Sequence, residues 1–429
     1  MRLGGRLAAA IEVLEDIEGR HRPAADALKD WGLSHRFAGA GDRAAIGNIV
    51  YDALRRRRSA VWLLDDDAPR AAGFGAIILE TAMTPEALNA SFDGDRFAPP
   101  PLTDDECAAI AARGSETPPQ VVRAECPDWC APHLEESFGE AWVEEGRALA
   151  RRPPLDLRVN TLRAERDKVA EALEETGARP TRLARHGLRI APVDGFGRHP
   201  NVQVEPAFQK GWFEVQDEGS QVMAQLAGAK PGMQVLDFCA GAGGKTLALA
   251  AAMENRGQIH AYDSEKARLA PIFERLRRAE CRNVQVISRP GDLSTLAGQM
   301  DVVLVDAPCT GSGTWRRRPD AKWRLGSRQL EIRMAEQSAI LDDAAAYVRP
   351  GGRLVYVTCS VFAQENRLQV AAFVARRPEF AAVDHRSLWR NEYPGHDGEA
   401  RFNGDAGLSL SPALSDTDGF YFCALRRGD

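Results

Sequence analysis

The sequence predicts an α/β protein: a Rossmann-like, doubly wound domain in the second half, preceded by an all-helical domain and a small α+β adaptor. From about residue 206 onward, short apolar runs alternate with helical stretches, which is the pattern of a parallel sheet covered by helices. In the first 82 residues, apolar side chains recur at spacings of three and four, as on the buried face of a helix. Between about residues 121 and 205, one helix is mixed with short strands.

The N-terminal part is predicted to contain two segments. Residues 1–90 form the helical domain, in which Leu7, Ile11 and Leu14 share one helix face. Residues 91–120 are rich in proline and polar side chains, and we expect a linker with one short helix there. The α+β adaptor follows at residues 121–205.

Short strands and one helix define the adaptor. The strands are expected at residues 155–159 and 187–191, and the helix at residues 168–176. The Rossmann-like domain then spans residues 206–429. Its strands are expected at residues 234–238, 258–263, 283–288, 301–306 and 353–359, with an edge strand at 420–425.

Composition limits the class of protein. The 429 residues are 44% apolar and 27% charged, which is ordinary for two or three globular domains. The sequence has no run of about 18 apolar residues, so we expect a cytoplasmic protein and no membrane partner. The net charge of −6 does not by itself indicate nucleic-acid binding. Cys126 and Cys130 lack a second pair of ligands, so no metal site is expected.

A glycine-rich turn follows the predicted strand 234–238 and begins a helix. Glycines at such a turn let a ligand approach backbone N–H groups at the start of the helix. Asp263 ends the next predicted strand, where a carboxylate can accept hydrogen bonds from ribose hydroxyls. The turn and Asp263 together predict a nucleoside ligand.

The turn also has a competing interpretation as a phosphate-binding loop of an ATPase, because Gly244-Lys245-Thr246 resembles the end of that motif. The motif requires a second glycine five residues before Gly244, where the backbone wraps the phosphates. This chain has Cys239 at that position. The spacing therefore argues against an ATPase.

Two cysteines each follow a predicted buried strand. Cys309 lies in Asp306-Ala-Pro-Cys309, and Cys359 lies in Thr358-Cys359-Ser360. Because the carboxyl ends of parallel strands meet at one crevice, both thiols are expected to face a single site. The sequence chemistry alone does not decide which thiol is a nucleophile.

A cluster of cations and aromatics follows the Cys309 motif directly. It contains Trp315, the run Arg316, Arg317 and Arg318, and then Lys322 and Trp323. Such a mixture is typical of a loop that faces RNA, where arginines contact phosphates and aromatic rings stack on bases. The cluster is therefore predicted to bind RNA.

The motifs together resemble the Sun/RsmB family of S-adenosylmethionine-dependent RNA (cytosine-5) methyltransferases. The resemblance rests on Asp237–Thr246, Asp263, Asp292, Asp306–Cys309 and Thr358–Ser360. It extends over nearly the whole chain, and residues 1–90 resemble the NusB-like RNA-binding domain of RsmB-type members. One departure is visible, since the family usually has Ala-Pro where this chain has Gly241-Ala242.

The resemblance implies S-adenosylmethionine as the cofactor and RNA, most simply ribosomal RNA, as the partner of a monomeric enzyme. The implied cofactor site consists of Cys239, Ala240, Gly241, Ala242, Gly243, Gly244, Lys245, Asp263, Asp292 and Asp306. In the adaptor, the resemblance adds Arg158 and Asn160 to the RNA-binding residues.

The expected chemistry needs a thiolate, because carbon 5 of cytosine becomes nucleophilic only after a thiolate has added to carbon 6. The later loss of the carbon 5 proton calls for a base or assisting group on the other face of the ring, which a second cysteine can supply. The resemblance assigns the attack to Cys359 and the release of product to Cys309. Asp306 is expected to contact N3 of the base, and Lys245 to contact the base or its phosphate. Methylation of transfer RNA and a non-catalytic RNA-binding role remain alternatives.

Overall fold

The computed structural model describes residues 1–429, apart from the side chain of Pro290. The chain forms two compact units, and each unit contains three stretches of sequence. The first unit consists of residues 1–153, 192–199 and 315–325, and the second of residues 154–191, 200–314 and 326–429. The mixed architecture, with a helical N-terminal region and a Rossmann-like sheet, confirms the predicted fold class.

The first unit is helical, as the apolar spacing predicts. Leu7, Val13 and Leu14 on the first helix are almost completely buried, and they pack in one core with Phe74 and Ile77. Its helices are α1 (Leu3–Arg20), α2 (Ala24–Ser34), α3 (Ala40–Arg55), α4 (Arg57–Leu64), α5 (Pro69–Thr81), α6 (Pro85–Ala90), α7 (Asp104–Arg113), α8 (Gln120–Arg123), α9 (Ala131–Phe138) and α10 (Trp142–Leu149).

The helical unit extends well beyond the predicted boundary at residue 90. The predicted linker holds α7, which begins with a capping box between Thr103 and Glu106. Residues 121–153, predicted to begin the adaptor, form helices that cluster with the first unit. The helical unit is therefore larger than the sequence pattern indicates, and the small sheet begins only at Leu155.

The second unit begins with a four-stranded antiparallel sheet in the order β2-β3-β1-β4. The pattern predicts two of its strands and misses the two shortest, which are too brief to show alternation. The elements are β1 (Leu155–Val159), α11 (Arg166–Ala172), β2 (Arg179–Pro180), β3 (Gly187–Ile190), α12 (Pro206–Gln209) and β4 (Phe213–Val215).

The second unit continues into a nine-stranded sheet in the order β11-β12-β13-β9-β8-β5-β6-β7, with β10 paired to β13. The remaining elements are α13 (Glu218–Leu226), β5 (Gln234–Asp237), α14 (Gly244–Ala252), β6 (Gln258–Tyr262), α15 (Lys266–Leu269), α16 (Ile272–Ala279), β7 (Val284–Ile287), α17 (Pro290–Ser294), β8 (Met300–Asp306), α18 (Ala321–Arg324, in the first unit), α19 (Ser327–Ala345), β9 (Val348–Thr358), α20 (Arg367–Arg376), β10 (Phe380–Ala382), α21 (His385–Glu392), β11 (Arg401–Phe402), β12 (Leu408–Leu410), α22 (Pro412–Ser415) and β13 (Phe420–Arg427).

The strand at 420–427 corrects one prediction. It was expected at the edge of the sheet, but β13 pairs with β9 on one side and with β12 on the other. Two strands of only two and three residues, β11 and β12, lie outside it. Strands this short contain too few residues to show an alternation of apolar and polar side chains, so the sequence pattern does not predict them.

Alternating side chains of the central strands build a core on each face of the sheet. Val302 and Leu304 of β8 pack on one face, whereas Val303 and Val305 pack on the other. A strand that is buried on both faces reads as a continuous apolar run, and this is why β8 is clear in the sequence. No described helix is long and apolar enough to cross a membrane.

Candidate active site

The site lies at the carboxyl ends of β5 and β8. These two strands are parallel neighbours in the sheet. After β5, the chain adds β6 and β7 on one side of β5, and it then adds β8 and β9 on the opposite side of β5. Such a reversal of strand order opens a crevice beyond the strand ends. The glycine turn follows β5, and the Cys309 and Cys359 loops follow β8 and β9.

Two glycines of the turn adopt the left-handed conformation. Gly241 has φ of +50° and Gly243 has φ of +82°. A Cβ on Gly243 would lie 2.5 Å from Cγ1 of Ile272, so glycine is needed there for space as well as for conformation. The turn hydrogen bonds internally, because Gly243 N donates to Ala240 O at 2.8 Å. The exposed Ala242 occupies the tip of the turn beside Gly241.

Asp263 lies beside the turn, as the sequence predicts. Its carboxylate is 4% exposed, and Oδ2 accepts a hydrogen bond from Gly241 N at 3.0 Å. The other oxygen accepts from Glu265 N at 2.9 Å. The structure therefore brings a buried carboxylate to the backbone of the glycine turn, which is the arrangement expected around a nucleoside.

Asp237 is a second buried carboxylate at the base of the turn. Thr246 Oγ1 donates to its Oδ2 at 2.7 Å, while no partner is found among the described residues for Oδ1. Burial raises the pKa of Asp237 to about 7, an effect that the Thr246 hydrogen bond opposes and the nearby Asp306 carboxylate reinforces. Asp237 is the first residue of the motif Asp237–Thr246, but the sequence analysis assigns it no role in the site.

Lys245 and Asp306 form an ion pair across the site. Lys245 Nζ lies 2.7 Å from Asp306 Oδ2, and the ammonium lies 5.4 Å from the centroid of the Phe420 ring. The lysine side chain is 6% exposed, whereas that of Asp306 is 34% exposed. The pair therefore presents one accessible carboxylate next to a largely desolvated ammonium group.

The two thiols predicted to share a site are in contact. Cys309 Sγ and Cys359 Sγ are 3.4 Å apart, and both residues are half-buried. A backbone hydrogen bond of 2.9 Å from Gly313 N to Cys359 O also joins their loops. A Cβ on Gly313 would lie 2.1 Å from Gly419 O, so this close passage of backbone requires glycine.

The thiol contact corrects the expectation that Cys309 acts from the opposite face of the ring. Van der Waals contact on both faces of an aromatic ring needs sulfur atoms about 7 Å apart. At 3.4 Å, the two sulfurs can only lie side by side. The pKa of the Cys309 thiol is raised well above its ordinary value by the hydrogen bond to Cys359, by burial and by the Cys359 charge.

Glu365 is the main residue of this site that the sequence analysis missed. Its carboxylate is completely buried and accepts hydrogen bonds from groups in both cysteine loops, namely Thr310 and Ser360. The available sequence signal was weak: a Glu-Asn pair six residues after Cys359, in a short stretch that reads as surface.

Four of the six predicted RNA-binding residues are buried, each with a relative exposure of 6% or less: Arg316, Lys322, Arg158 and Asn160. Lys322 Nζ donates to Arg55 O and Glu125 O at 3.2 and 2.6 Å, all within the helical unit. Asn160 Nδ2 donates to the carbonyl oxygens of Gly211 and Ala279. Arg158 Nε donates to Gln216 Oε1 at 2.6 Å.

This burial corrects the RNA-facing prediction for those four side chains. A side chain that is buried in the protein interior, as all four are, cannot reach a phosphate without local unfolding, and Lys322, Arg158 and Asn160 would also lose the hydrogen bonds named above. Arg317 is half-buried and Arg318 is exposed, so for these two the prediction stands as a prediction. Packing of the helical unit around residues 315–325 buries Arg316 and Lys322, whereas packing within the second unit buries Arg158 and Asn160, and no local pattern reveals either.

Lys322 gives a testable dependence of stability on pH. Burial lowers its pKa to about 8 in the folded protein, whereas an unfolded lysine has a pKa of 10.5. Between these values the unfolded chain binds more protons, so folding stability from this group rises with pH. We expect the free energy of unfolding of wild type, relative to that of Lys322→Met, to rise between pH 8 and pH 10 by up to about 1.4 kcal/mol per pH unit. Urea unfolding of both proteins at pH 8 and pH 10 measures these free energies. If they differ by the same amount at both pH values, the pKa of Lys322 is not lowered in the folded protein.

The remaining residues of the predicted cofactor site differ in how far they are buried. Cys239 is half-buried and Ala240 buried at the start of the glycine turn, and Gly244 begins α14. Asp292 is exposed in the one-turn helix α17, where no hydrogen bond to its carboxylate is found among the described residues. No group of three or more potential metal-ligating side chains occurs in the described part of the chain.

Two family models match the second half and the middle of the chain. The model described as 16S rRNA methyltransferase RsmB/F matches residues 224–426. The model described as the ferredoxin-like domain of RsmF/B-like methyltransferases matches residues 126–193. The first match contains the glycine turn, Asp263, both cysteines and Glu365.

Curated relatives carry corresponding names. Ribosomal RNA small subunit methyltransferase B of Erwinia tasmaniensis is 32% identical over 306 residues, which are 70% of this chain and 66% of that protein. The probable ribosomal RNA small subunit methyltransferase B of Synechocystis is 31% identical over 311 residues, with the same coverage. The chain thus spans just under two thirds of the length of these relatives.

A solved structure extends the likeness to the complete fold. The crystal structure of PH0851 aligns over 100% of both chains with a TM-score of 0.72 and 25% identity. The two family models and the curated relatives agree on the family, and the solved structure agrees on the fold. The chain belongs to the RsmB/F family of methyltransferases.

Proposed function

We propose that the protein is an S-adenosylmethionine-dependent RNA (cytosine-5) methyltransferase that modifies small-subunit ribosomal RNA in the cytoplasm. The observation that carries the proposal is the contact between Cys309 and Cys359 at the edge of the sheet that also holds the glycine turn. Two thiols in one crevice suit a reaction in which one sulfur must add to the base and later leave.

The residues around the glycine turn fit S-adenosylmethionine. Gly241, in the left-handed conformation, brings the backbone of the turn to within 3.0 Å of Asp263, which offers carboxylate oxygens for ribose hydroxyls. Asp237 adds a buried carboxylate oxygen with no partner among the described residues. When bound, the cofactor supplies a methyl group on a sulfonium sulfur, which a carbon nucleophile can displace.

The first half of the reaction activates the base. The Cys359 thiolate adds to carbon 6 of cytosine, and the electron pair of the 5,6 double bond moves into the ring toward N3. In place of the Asp306–N3 contact expected from the sequence, the Lys245 ammonium can donate a hydrogen bond where that negative charge develops, because Asp306 is already paired with Lys245 at 2.7 Å. Carbon 5 then carries the electron density needed to accept a methyl group, and a bound S-adenosylmethionine would leave as the neutral thioether.

The second half requires a base for the proton on carbon 5. In the resting protein, the hydrogen bond to Cys359 and the electrostatic interaction with it raise the pKa of the Cys309 thiol, as burial also does. Once the Cys359 sulfur is a neutral thioether, both effects disappear and the pKa of Cys309 falls. Cys309 can then release its own proton to solvent, and the resulting thiolate accepts the carbon 5 proton as the carbon–sulfur bond breaks, which restores the double bond and frees the Cys359 thiolate.

The target cytosine must be unpaired or flipped out, because carbon 6 is not accessible to a thiol within a helix. Small-subunit ribosomal RNA is the substrate that the names of the 16S rRNA family model and the curated relatives suggest. Intact thiols and an intact Lys245–Asp306 pair argue against a purely structural RNA-binding role.

The test is methylation of defined RNA in vitro. Purified protein, S-adenosylmethionine and either small-subunit ribosomal RNA or transfer RNA are incubated, and protected cytosines are read by bisulfite sequencing. We expect one protected position in the ribosomal RNA and none when ATP replaces S-adenosylmethionine. Protection only in transfer RNA would reassign the substrate, and no protection in either RNA would contradict the proposal.

A further inference from the structure

Glu365 occupies a central position between the two cysteine loops. It lies in the 3₁₀ turn Ala363–Glu365 after β9 and has no exposed surface. One carboxylate oxygen accepts from Thr310 N at 2.8 Å and from Gln337 Nε2 at 2.9 Å. The other accepts from Thr310 Oγ1 at 2.6 Å and from Ser360 Oγ. Four donors therefore satisfy the carboxylate without a cation in this set.

The donors directly follow the two thiols in sequence. Thr310 is adjacent to Cys309, and Ser360 is adjacent to Cys359. Ser312 Oγ lies 2.9 Å from Ser360 Oγ and accepts from Val361 N, which extends the connection between the loops. Gln337 of α19 also donates to Pro308 O at 2.9 Å. Each loop is thus fixed to Glu365 one residue away from its sulfur.

A buried carboxylate is costly unless its hydrogen bonds are complete, so this residue holds its donors with directional, charge-assisted bonds. We propose that Glu365 is a positioning residue that joins the loop after Cys309 to the loop after Cys359 and thereby sets the separation of the two thiols. Its importance for catalysis rests on the proposed methyl transfer, whereas its effect on thiol geometry does not.

Two substitutions of Glu365 separate the effect of its hydrogen bonds from the effect of its negative charge. Glu365→Ala removes all four contacts. Glu365→Gln can keep them, because its amide oxygen can accept from Thr310 N and Gln337, while its NH₂ group faces two hydroxyls that can turn to accept. Glu125→Ala is the matched control, since that carboxylate is 1% exposed and accepts from Arg58 N and Ser59 N within the helical unit.

The first measurement needs neither RNA nor cofactor. Diamide takes two electrons and two protons from a pair of thiols, which become a disulfide with sulfurs about 2.05 Å apart. Wild type, with sulfurs 3.4 Å apart, is expected to form the Cys309–Cys359 disulfide rapidly, as detected by peptide mass spectrometry. Glu365→Ala should slow this reaction about tenfold or more, and Glu365→Gln should stay within about threefold of wild type.

The second measurement is steady-state methylation. Glu365→Ala should lower kcat about 100-fold, as expected for a misplacement of reacting groups by about 1 Å, with KM for RNA and cofactor within about threefold. Glu125→Ala should change neither the disulfide rate nor kcat, even if it unfolds at lower temperature.

Rapid disulfide formation in Glu365→Ala would overturn the positioning role. Equal losses in Glu365→Ala and Glu365→Gln would also overturn it, because the amide keeps the contacts. If all variants including wild type lack methylation but differ in disulfide rate as expected, the positioning role holds and the proposed function fails.

Discussion

Cys359→Ala is expected to abolish methylation and to form no covalent complex with RNA. Without the thiolate, nothing adds to carbon 6, so carbon 5 never becomes nucleophilic. Loss of a catalytic nucleophile commonly costs at least about 10⁴-fold in kcat. The measurement is incorporation of labelled methyl groups into RNA, followed by denaturing gel electrophoresis of the same reactions.

Cys423→Ala is the matched control for Cys359→Ala, because Cys423 lies on the neighbouring strand β13 and is fully buried away from the thiol pair. It should keep near wild-type methylation. Cys359→Ala should also keep cofactor affinity, since the glycine turn and Asp263 are unchanged. Methylation at more than a few per cent of the wild-type rate would show that Cys359 is not the nucleophile.

Cys309→Ala is expected to trap the enzyme on its substrate. Cys359 can still attack and the methyl group can still be transferred, but the proton on carbon 5 has lost its acceptor. The covalent protein–RNA complex should therefore accumulate and survive denaturing electrophoresis, with turnover reduced by about 10²-fold to 10⁴-fold, the usual contribution of general base catalysis.

The two single variants test each other. If the complex accumulates with Cys359→Ala and not with Cys309→Ala, the roles of the thiols are reversed. The double variant should form no complex, because it lacks the attacking sulfur. Full activity of both single variants would exclude a mechanism with two cysteines.

Much of the site could be predicted because it lies at strand ends. The buried strands β5, β6, β8 and β9 are continuous apolar runs, and the residues that follow them meet at one edge by the geometry of a parallel sheet. By this rule, the sequence alone predicts that Asp263, Lys245, Asp306 and the two cysteines lie at one edge of the sheet.

Long-range packing explains what the sequence did not reveal. Arg316 and Lys322 read as a solvent-exposed basic run, yet helices from distant parts of the chain bury them. Glu365 is a charged residue in a short stretch and therefore looks exposed in the sequence. Its four donors come from three separate segments, which a local pattern cannot show. The strands β11 and β12 are too short to alternate visibly. Each of these features depends on contacts between residues far apart in sequence, which local patterns do not encode.

The interleaving of the two units has a consequence for synthesis on the ribosome. Helices α1–α10 are complete once residue 149 has been made, but the segment Trp315–Leu325 that completes the same unit comes much later. Until then, Arg55 O and Glu125 O lack the Lys322 ammonium that they bind in the finished protein. At a translation rate of about 5–20 residues per second, the 176 residues from 149 to 325 take about 9 to 35 seconds, and the helical unit waits that long for its last segment. The nascent helices must remain free of aggregation throughout that interval, and the unit that begins the chain is among the last to reach its final packing.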